Sequence, residues 1–430
     1  MKKNPTDQGQ GKSLRPIQSD DVVAIIGGAP AGSGCAIRLL KQAHSRGINP
    51  RVIIFEGKAF EKKSYYNQCL GVLSPPIDHI LEDELYIPFP HHLVQRRVDG
   101  YILHTDNNTI TIPSEKEPSF ATRRVELDNF LFQAAKDLGA ETVQARVVDL
   151  DFDDHGVLVY SESNYVRADV VVGAFGLDDG MAKIFERLTP YRQPAFISTI
   201  VTKFHPGQAE VEAFGNYIHA FLISSMPKVE FAAITPKGNH LSINMAGKTV
   251  NAALMDQFLN LRIVREVLPE NAGELLPDLY YFKGKFPTLP AKGIFGDRYV
   301  MIGDAAGLNR PFKGKGINSA LITGIKAADV LLEHGTSRKA FQKYMDSCGE
   351  LTCDIPYGKA LRAVTNQCTR MGLLDGVCET AKEEPALKKA FFNIISGHDS
   401  YKNTWKKTKS LRLILKIAAR SIKHKFRKKS

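Results

Sequence analysis

Short apolar runs alternate with helical patterns at the start of the chain. Residues 22–26 and 52–55 are unbroken apolar runs, long enough for buried parallel strands but too short for helices. Between them, residues 33–46 carry apolar side chains at helical spacing, and Gly47 provides a stop signal. The pattern predicts a strand–turn–helix–strand unit whose turn, residues 27–32, is rich in glycine.

The same pattern returns twice further along the chain, with a different pattern in between. Helices are predicted over residues 124–139 and 317–333, and buried strands at 168–173 and 299–302. Strands and turns dominate from about 193 to 288, and the stretch to 400 is helical in pattern. We therefore predict an α/β fold with a Rossmann-like domain, an interleaved β-rich domain and a helical C-terminus.

This organisation predicts five regions. They are a flexible leader at 1–20; a nucleotide-binding domain of 21–75, 120–185 and 289–340; a substrate domain of 76–119 and 186–288; a helical region at 341–400; and a tail at 401–430.

The glycine-rich turn is typical of dinucleotide binding, in which backbone N–H groups at a helix N-terminus face a pyrophosphate. Gly27 and Gly32 occupy the first and third places of GxGxxG, but Ala29 occupies the middle place, and its methyl group requires local adjustment. Glu56 ends the second strand and suits hydrogen bonding to a ribose hydroxyl. The predicted contacts here are Gly27, Gly28, Ala29, Ala31, Gly32, Ser33 and Glu56.

A second glycine segment follows the strand near residue 300. It begins Gly303-Asp304-Ala305-Ala306-Gly307, and residues 311–318 open the next helix. An acid beside a glycine turn suits ribityl hydroxyls, and amides at a helix N-terminus suit the anionic edge of a reduced flavin. The predicted flavin contacts are Gly303, Asp304, Gly314, Gly316, Ile317 and Asn318.

These segments resemble the FAD-dependent oxidoreductases of the p-hydroxybenzoate hydroxylase fold and, among them, the geranylgeranyl reductase group. The G-G-x-P-A-G-S, R-x-x-L/F-D-x-x-L and G-D-A-A motifs of the group are matched at 27–33, 124–131 and 303–306, and P…G-x-G-x-N at 311–318. The resemblance spans about residues 21–335. It implies FAD as cofactor, with Arg124 in its site, Asp304 at the ribityl chain and residues 314–318 beneath the isoalloxazine ring.

One motif departs from the group. Its members usually carry an Asp-Gly pair after the strand at 169–173, whereas this chain has Phe175-Gly176. In the hydroxylases that Asp helps to position flavin and nicotinamide, so its loss argues against direct, hydroxylase-like use of NADPH. The reductant is left open, as NAD(P)H or a reduced electron carrier.

Cys69 lies in a segment, N-Q-C-L-G, that is similar to the cysteine–glycine loop near the flavin in this group. Reduction of a C=C bond needs a hydride at one carbon and a proton at the other. Cys69 is the candidate catalytic residue, either as proton donor or as a pocket residue. Residues 229–238 align loosely with the substrate-facing Y-x-W-x-F-P-K segment, and we interpret Phe231 as a core residue.

The net charge of +11 belongs to the tail. Residues 401–430 hold twelve Lys or Arg and no acid, which leaves 45 basic against 46 acidic side chains elsewhere. Apolar positions 411, 414, 415, 418, 422 and 426 share one helical stripe behind Trp405. A basic amphipathic helix is typical of an anionic membrane surface, so residues 405–429 are predicted to bind one. No base-reading fold accompanies the charge, and no nucleic-acid partner is expected.

Other chemistry and targeting signals are weak. The six cysteines show no CxxC pair, and His91, His92 and His240 have no metal-site spacing, so no metal site is predicted. The polar leader lacks a signal-peptide core, and no run approaches the ~20 apolar residues of a membrane span. We expect a cytoplasmic protein, peripheral at the inner face of the membrane if the tail binds there.

Three functions are compatible with these features. The leading hypothesis is an FAD-dependent oxidoreductase that reduces C=C bonds of a prenyl or other lipid-like substrate by hydride transfer from reduced flavin. The alternatives are a flavin monooxygenase that hydroxylates an aromatic or polyketide substrate, and a flavin electron-transfer dehydrogenase.

Overall fold

The computed structural model describes residues 13–60, 69–114, 117–275, 279–311, 316–408, 416 and 420. The strands are β1 Val22–Ile26, β2 Arg51–Phe55, β3 Val72–Leu73, β4 Val94–Val98, β5 Gly100–His104, β6 Thr109–Pro113, β7 Ser119–Thr122, β8 Glu141–Val143, β9 Val147–Asp153, β10 Gly156–Ser161, β11 Tyr165–Ala168, β12 Val170–Gly173, β13 Phe196–Phe204, β14 Tyr217–Phe221, β15 Phe231–Pro236, β16 Leu241–Gly247, β17 Phe282–Pro287, β18 Phe295–Gly296 and β19 Tyr299–Met301.

The helices are α1 Pro30–Ser45, α2 Ile77–His79, α3 Arg124–Asp137, α4 Asp179–Leu188, α5 Gln208–Phe214, α6 Ala252–Leu259, α7 Arg262–Arg265, α8 Ala272–Leu275, α9 Gly316–Glu333, α10 Arg338–Ser347, α11 Gly349–Arg370, α12 Leu374–Glu383, α13 Pro385–Ser396 and α14 Tyr401–Thr408. Helix α2 continues into a π-helical turn, Ile80–Glu84, and short 3₁₀ turns cover His91–Leu93 and Gly303–Ala305.

A six-stranded sheet forms the nucleotide-side core, in the order β18-β19-β12-β1-β2-β8. All neighbours in it run parallel except β18, which pairs antiparallel with β19 at the edge. Residues 23–26 and 170–173 are buried, as expected for central parallel strands covered on both faces. Helix α1 connects β1 to β2 and packs against α3 and α9. The predicted strand–turn–helix–strand unit is therefore present, and α1 begins at Pro30 rather than Ser33 because proline suits the first helical turn.

A seven-stranded sheet forms the second large layer, in the order β17-β13-β16-β15-β14-β5-β6. Its neighbours are antiparallel except β14 and β5, which run parallel. One face packs on α5, α6 and α7 through a core that includes Phe204, Phe221 and Phe258. The pattern of strands and turns predicted from about 193 to 288 corresponds to most of this sheet.

The C-terminal helices are tied to the seven-stranded sheet by buried polar contacts. Arg362 on α11 donates from Nε to Oε2 of Glu230 at 2.6 Å, just before β15. Asp375 on α12 accepts hydrogen bonds from Thr105 Oγ1 and Asn107 Nδ2, both at 2.6 Å, in the turn between β5 and β6. These contacts hold the helical region predicted for 341–400 against the sheet.

The segment after β3 packs with the nucleotide-side core. Ile77, Leu81, Leu85 and Phe89 are buried in the cluster that contains β1 and β2, whereas the sequence prediction placed this segment in the substrate domain. The strands that join the seven-stranded sheet begin at Gly100. The domain boundaries remain predictions. This packing favours a start of the substrate domain near residue 100 rather than at residue 76.

Candidate active site

The turn between β1 and α1 is shaped by glycine. Gly27 has a φ of 110°, and a Cβ atom there would lie 2.5 Å from the carbonyl oxygen of Ala174, so a side chain is excluded. The Gly28 N–H donates to Oε2 of Glu56 at 3.0 Å, and Ser33 Oγ donates to the Gly28 carbonyl oxygen at 2.6 Å. The turn is thus fixed at the positive end of α1, where a pyrophosphate is favoured.

Glu56 and Ala29 complete this end of the site. Glu56 also accepts from the Lys58 N–H at 2.9 Å, so its buried carboxylate is held at the carboxyl end of β2. Ala29 has φ −72° and ψ −177°, an ordinary extended conformation. The alanine in the middle place of the glycine pattern therefore causes no backbone strain, and the ribose contact of Glu56 stays a prediction.

The second glycine segment lies directly against the first. Gly303 has a φ of 60°, and a Cβ atom there would lie 2.8 Å from Cβ of Ala31 on α1. The Gly303 N–H donates to Thr323 Oγ1 at 2.9 Å, which ties the segment to α9. At the start of α9, a Cβ atom on Gly316 would lie 3.8 Å from Oδ1 of Asp304, so the glycine leaves room beside this carboxylate.

Arg124 places a positive charge between Asp304 and the Cys69 loop. Its Nε donates to Oδ1 of Asp128 at 2.5 Å, and Asp128 is fully buried. Burial lowers the pKa of Arg124, but Asp128, Cys69 and Asp304 together raise the pKa above its usual value. Burial raises the pKa of Asp304 to about 6, against the opposing charge of Arg124. In its ionised form the Asp304 carboxylate accepts hydrogen bonds.

A cavity of about 600 Å³ opens beside these residues. The start of α9 contributes Gly316, Ile317 and Asn318, and the Asn318 amide donates to the Ser74 carbonyl oxygen at 3.0 Å. The wall opposite comes from the seven-stranded sheet and the last helices, and it mixes apolar side chains with two lysines of β17, Lys283 and Lys285. Its residues include Tyr101, Thr199, Val201, Ile218, Phe231, Asn244, Phe282, Phe286, Ile394, Ile395 and Tyr401.

Cys69 lines the same cavity, in a loop held by an unexpected lysine. Thr122 donates from its N–H and its Oγ1 to the Gly71 carbonyl oxygen, at 2.9 and 3.0 Å. The carbonyl oxygen of Thr122 accepts from Nζ of Lys237 at 2.9 Å, and Lys237 is only 3% exposed. Burial lowers the pKa of Lys237 to about 8, and the Cys69 side chain opposes that shift. The Cys69 thiol thus lies within the electrostatic reach of two cations, Arg124 and Lys237.

The predicted site residues, although distant in sequence, lie close together in the folded protein. The turn residues Gly27 to Ser33, the acid Glu56 and the pair Gly303-Asp304 surround the N-termini of α1 and α9. Gly314 lies outside the described residues. The roles of all these residues in cofactor binding stay predictions. The structure does bring the glycine-rich turn at residues 27–33 into contact with the Gly303-Asp304 segment.

Several site residues escaped the sequence analysis. Lys237 and Asn244, together with the contributions of α13 and α14, follow from tertiary packing. Phe231, interpreted as a core residue, is partly buried against one hydrophobic cluster and also lines the cavity. The alternation along β15 sends Ala232 into the core beneath the sheet and Phe231 to the opposite face.

Phe175, which replaces the Asp of the group motif, has become part of the hydrophobic core. Its ring stacks on Phe185 with 5.5 Å between centroids and meets Tyr191 edge-on at 6.0 Å. The position supplies no carboxylate to the site, so a nicotinamide-positioning role is absent from this residue.

The geometry fits a flavin dinucleotide. The Gly27–Ala29 turn lies at the N-terminus of α1, the Glu56 carboxylate lies at the end of β2, and Asp304 lies beside the space that Gly316 leaves open, as a phosphate, a ribose and a ribityl chain would require. The mostly parallel sheet with an interleaved antiparallel sheet is the p-hydroxybenzoate hydroxylase-like fold that the sequence predicts.

Relatives with assigned names agree with the motif resemblance. Digeranylgeranylglycerophospholipid reductase 3 of Methanosphaera stadtmanae is 26% identical over 358 residues, which cover 75% of this chain and 81% of the relative. Geranylgeranyl diphosphate reductase of Synechocystis sp. is 25% identical over 328 residues, 72% of this chain and 75% of the relative. The resemblance to the geranylgeranyl reductase group is thus confirmed. No protein-family model matches the chain.

Solved structures show the same fold. A geranylgeranyl bacteriochlorophyll reductase-like protein from Thermoplasma acidophilum has a TM-score of 0.66 at 19% identity, covering 91% of this chain and 98% of the other. A flavin-dependent brominase has a TM-score of 0.65 at 17% identity, covering 96% of this chain and 100% of the other. The predicted fold class, a Rossmann-like domain with an interleaved β-rich domain and a helical C-terminus, is confirmed.

The start of the predicted membrane-binding segment packs on the protein. Trp405 is partly buried against a small cluster formed by Leu361, Ile394 and Tyr401, so it is not a freely exposed anchor. Across the ranges described, no helix is both long enough and apolar enough to cross a bilayer.

Five basic residues of the tail are described, and three of them pair with acids. Lys407 pairs with Asp399 at 3.0 Å. Lys416 pairs with Glu384, and Arg420 pairs with Glu383 at the end of α12. The remainder of residues 409–430 lies outside the described part of the chain. Membrane binding by the tail therefore stays a prediction, with three of its charges engaged within the protein.

Proposed function

We propose that this protein is an FAD-dependent oxidoreductase that reduces C=C bonds of a prenyl or other lipid-like substrate. The observation that carries the proposal is the large cavity, with many apolar side chains in its wall, that opens directly beside the residues predicted to hold the flavin. The names of the relatives, reductases of geranylgeranyl diphosphate and digeranylgeranylglycerophospholipid, support this substrate class.

The chain offers a contact for each part of the cofactor. The Gly27–Ser33 segment would hold the pyrophosphate and Glu56 the adenosine ribose, while Asp304 would accept hydrogen bonds from the ribityl hydroxyls. Residues 316–318 would lie at the ring system, at the positive end of α9. When bound and reduced, the flavin supplies the hydride.

Cys69 is the proposed proton donor, with water as the alternative. The thiol lines the cavity, and a proton from its sulfur would complete the saturation of the second carbon. Arg124 and Lys237 lie within electrostatic range of Cys69 and would face the charge left on its sulfur after the transfer. The thiolate must then regain a proton from solvent before the next turnover.

The sheet wall would bind and orient the hydrocarbon chain. Side chains such as Val201, Ile218 and Phe231 present an apolar surface, and burial of a prenyl chain against them is favourable in proportion to the area covered. The same surface would exclude water from the reacting carbons. We also propose that residues 405–429 bring the enzyme to an anionic membrane where such substrates reside, since their composition suits an interfacial helix.

An anaerobic reoxidation experiment tests the proposal. Flavin-loaded protein is reduced chemically with dithionite, which avoids the open question of the physiological donor, and a panel of unsaturated polyprenyl lipids is added. We expect the oxidised flavin spectrum to return and a product heavier by two hydrogens to appear. Reoxidation that requires oxygen as well as substrate would instead indicate the monooxygenase, and no reoxidation by any lipid would reject the reductase.

A further inference from the structure

Arg310 reaches from the second glycine segment to the last helices of the chain. Its Nη1 donates to the carbonyl oxygen of Gly397 at 3.1 Å, and its Nη2 donates to the carbonyl oxygen of Asp399 at 2.9 Å. Its Cζ atom also lies 4.1 Å from the ring centroid of Tyr401. The Arg310 side chain is only 16% exposed, so these contacts are largely shielded from water. A guanidinium suits them, because it is planar, carries several donors and stacks on aromatic rings.

The residues that Arg310 holds belong to one wall of the cavity. We call residues 394–401, from the end of α13 to the start of α14, the C-terminal wall. Its members that line the cavity are Ile394, Ile395, Ser396, Gly397 and Tyr401. Asp354 of α11 supports the same corner, because its Oδ1 accepts from the N–H of Lys402 at 2.9 Å, and its Oδ2 lies 3.7 Å from Nη2 of Arg310. The position of a ligand packed on this wall would therefore depend on Arg310.

The backbone of Arg310 lies beside the predicted flavin site. The Arg310 N–H donates to Oδ1 of Asn309 at 2.8 Å. A Cβ atom on Gly316 would lie 3.5 Å from Nδ2 of Asn309 and 3.8 Å from Oδ1 of Asp304. Arg310 thus links the predicted ribityl contact and the start of α9 to the C-terminal wall.

This junction is tightly packed. A Cβ atom on Gly358 of α11 would lie 2.6 Å from the Tyr401 ring and 2.9 Å from Cδ of Pro311, the residue after Arg310. Because close-packed side chains transmit displacement rather than absorb it, a change at Arg310 is expected to move the wall relative to the second glycine segment.

We infer that Arg310 is a positioning residue for the substrate. It sets the distance between the C-terminal wall, which would hold the hydrocarbon, and the Gly303-Asp304 segment, which would hold the flavin. The inference rests on the proposed function, since it takes the cavity to be the substrate site. Hydride transfer requires the reacting atoms to be in near contact, so a small displacement of the wall slows the transfer without removing either reactant.

Arg310→Met tests the inference, because it keeps much of the length of the side chain but removes its donors and charge. Flavin-loaded protein is reduced anaerobically with dithionite and mixed in stopped flow with an all-trans C20 prenyl alcohol or its monophosphate. We expect the rate of flavin reoxidation at saturating lipid to fall by about tenfold to a hundredfold with both lipids. Reoxidation by oxygen should be unchanged, because a small acceptor does not depend on the wall.

Arg362→Met is the matched control. Arg362 of α11 also ties the helical region to the sheet, by bonds to Glu230 at 2.6 and 2.8 Å, and neither side chain is part of the described cavity lining. Both variants should lower the free energy of unfolding in urea, but only Arg310→Met should slow reoxidation by lipid. Arg310→Lys, which keeps one donor group and the charge, should show the same difference at smaller size if Arg310→Met does not fold.

Three results would overturn the inference. They are an unchanged rate with lipid in Arg310→Met, an equal fall with lipid and with oxygen, and an equal fall in Arg362→Met. A fall confined to the monophosphate would also overturn it, since Arg310 would then bind an anionic headgroup instead of holding the wall.

The failure of the reductase proposal has a different signature. If neither lipid reoxidises the unaltered protein, that proposal fails, and binding of the saturated C20 alcohol to the oxidised protein still tests the wall through the change in flavin absorbance. Arg310→Met should weaken this binding and Arg362→Met should not. Equal binding in both variants would mean that Arg310 does not set the position of the wall.

Discussion

Lys237 donates a hydrogen bond from Nζ to the carbonyl oxygen of Thr122 at 2.9 Å, and this bond joins two parts of the site. Lys237 follows β15 in the seven-stranded sheet, and Thr122 ends β7 in a three-stranded sheet with β3 and β4. Because Thr122 also holds Gly71, the ammonium group supports the loop that carries Cys69. The seven-stranded sheet and the loop that carries Cys69 are thus joined by hydrogen bonds through Thr122.

The burial of Lys237 has a consequence for the pH dependence of stability. Its pKa is lowered from 10.5 to about 8, chiefly by burial, so the unfolded chain holds this proton more tightly than the folded one. The free energy of unfolding should therefore rise with pH between about 8 and 10.5, by about 3 kcal/mol from this group. Lys237→Met should remove that rise in urea titrations across this range, while exposed Lys339→Met should retain it. If the free energy of unfolding rises equally with pH in Lys237→Met and in the unaltered protein, the pKa of Lys237 is not lowered by burial.

Asp304 is expected to change the free energy of unfolding with pH in the opposite direction. Burial raises its pKa from 3.8 to about 6, so the folded chain binds the proton more tightly. Flavin-free protein should lose stability as the pH rises from about 4 to 6, by about 2 kcal/mol after allowance for partial exposure to the cavity. Asp304→Asn should be insensitive to pH in this range, yet bind FAD about tenfold more weakly, because a charged acceptor is lost. Urea unfolding of the flavin-free protein and fluorimetric titration of FAD measure the two effects. If Asp304→Asn is less stable than the unaltered protein and still binds FAD as tightly, Asp304 is not a contact of the ribityl chain.

Much of the nucleotide-side core follows from the sequence because its central strands are buried on both faces. Strand β1 is an unbroken apolar run, as is β2 after Arg51, and the turn between β1 and α1 carries glycines at the spacing typical of dinucleotide binding. The three-stranded sheet escaped prediction because β3 spans two residues and β4 carries polar side chains, so that only tertiary pairing reveals them.

The site was predictable where its chemistry is local. Gly27 and Asp304 sit in motifs whose spacing carries their meaning, whereas Lys237 acts across 115 positions of sequence on Thr122. Asn244 did leave a signal, as an amide within the otherwise apolar and small-residue strand Leu241–Gly247. That signal acquires meaning only once the strand is known to be buried and one of its faces is known to line a cavity.

The Gly27 turn offers a test of the cofactor site. Gly27→Ala adds a methyl group 2.5 Å from the Ala174 carbonyl oxygen at a φ of 110°, so the backbone must shift. We expect FAD affinity to fall by at least tenfold and stability by about 3 kcal/mol. Gly47→Ala is the matched control, since Gly47 also has positive φ, 68°, but nothing lies within 4 Å of its Cβ position. It should lose only about 1 kcal/mol and keep its flavin. Equal losses in both variants, by calorimetry and flavin content, would mean that the turn is not a cofactor contact.

Replacing Cys69 distinguishes a role as proton donor from a role as a residue that only lines the cavity. With Cys69→Ala, proton donation predicts a fall of about a hundredfold or more in the rate at which substrate reoxidises the reduced flavin, with FAD content unchanged. A lining role predicts a change in substrate KM and a rate within tenfold of the unaltered enzyme. Cys353→Ala, at another exposed cysteine on α11, controls for thiol loss in general. Anaerobic stopped-flow absorbance at the flavin band measures the rate in all three proteins.

The ion pairs of the tail predict how membrane binding can be strengthened. Lys416 and Arg420 are engaged by Glu384 and Glu383, so these two charges must leave their partners before they contribute to a lipid surface. Because a basic residue near an anionic surface contributes about 1 kcal/mol, Glu383→Gln/Glu384→Gln should increase binding to phosphatidylserine vesicles by on the order of tenfold. The increase should disappear at high salt and on purely zwitterionic vesicles. The double variant Glu270→Gln/Glu350→Gln, at two exposed glutamates, serves as the charge-matched control, and a chain ending at Thr408 should bind neither vesicle type. If that shortened chain floats with anionic vesicles as well as the full one does, the membrane contact lies elsewhere on the protein.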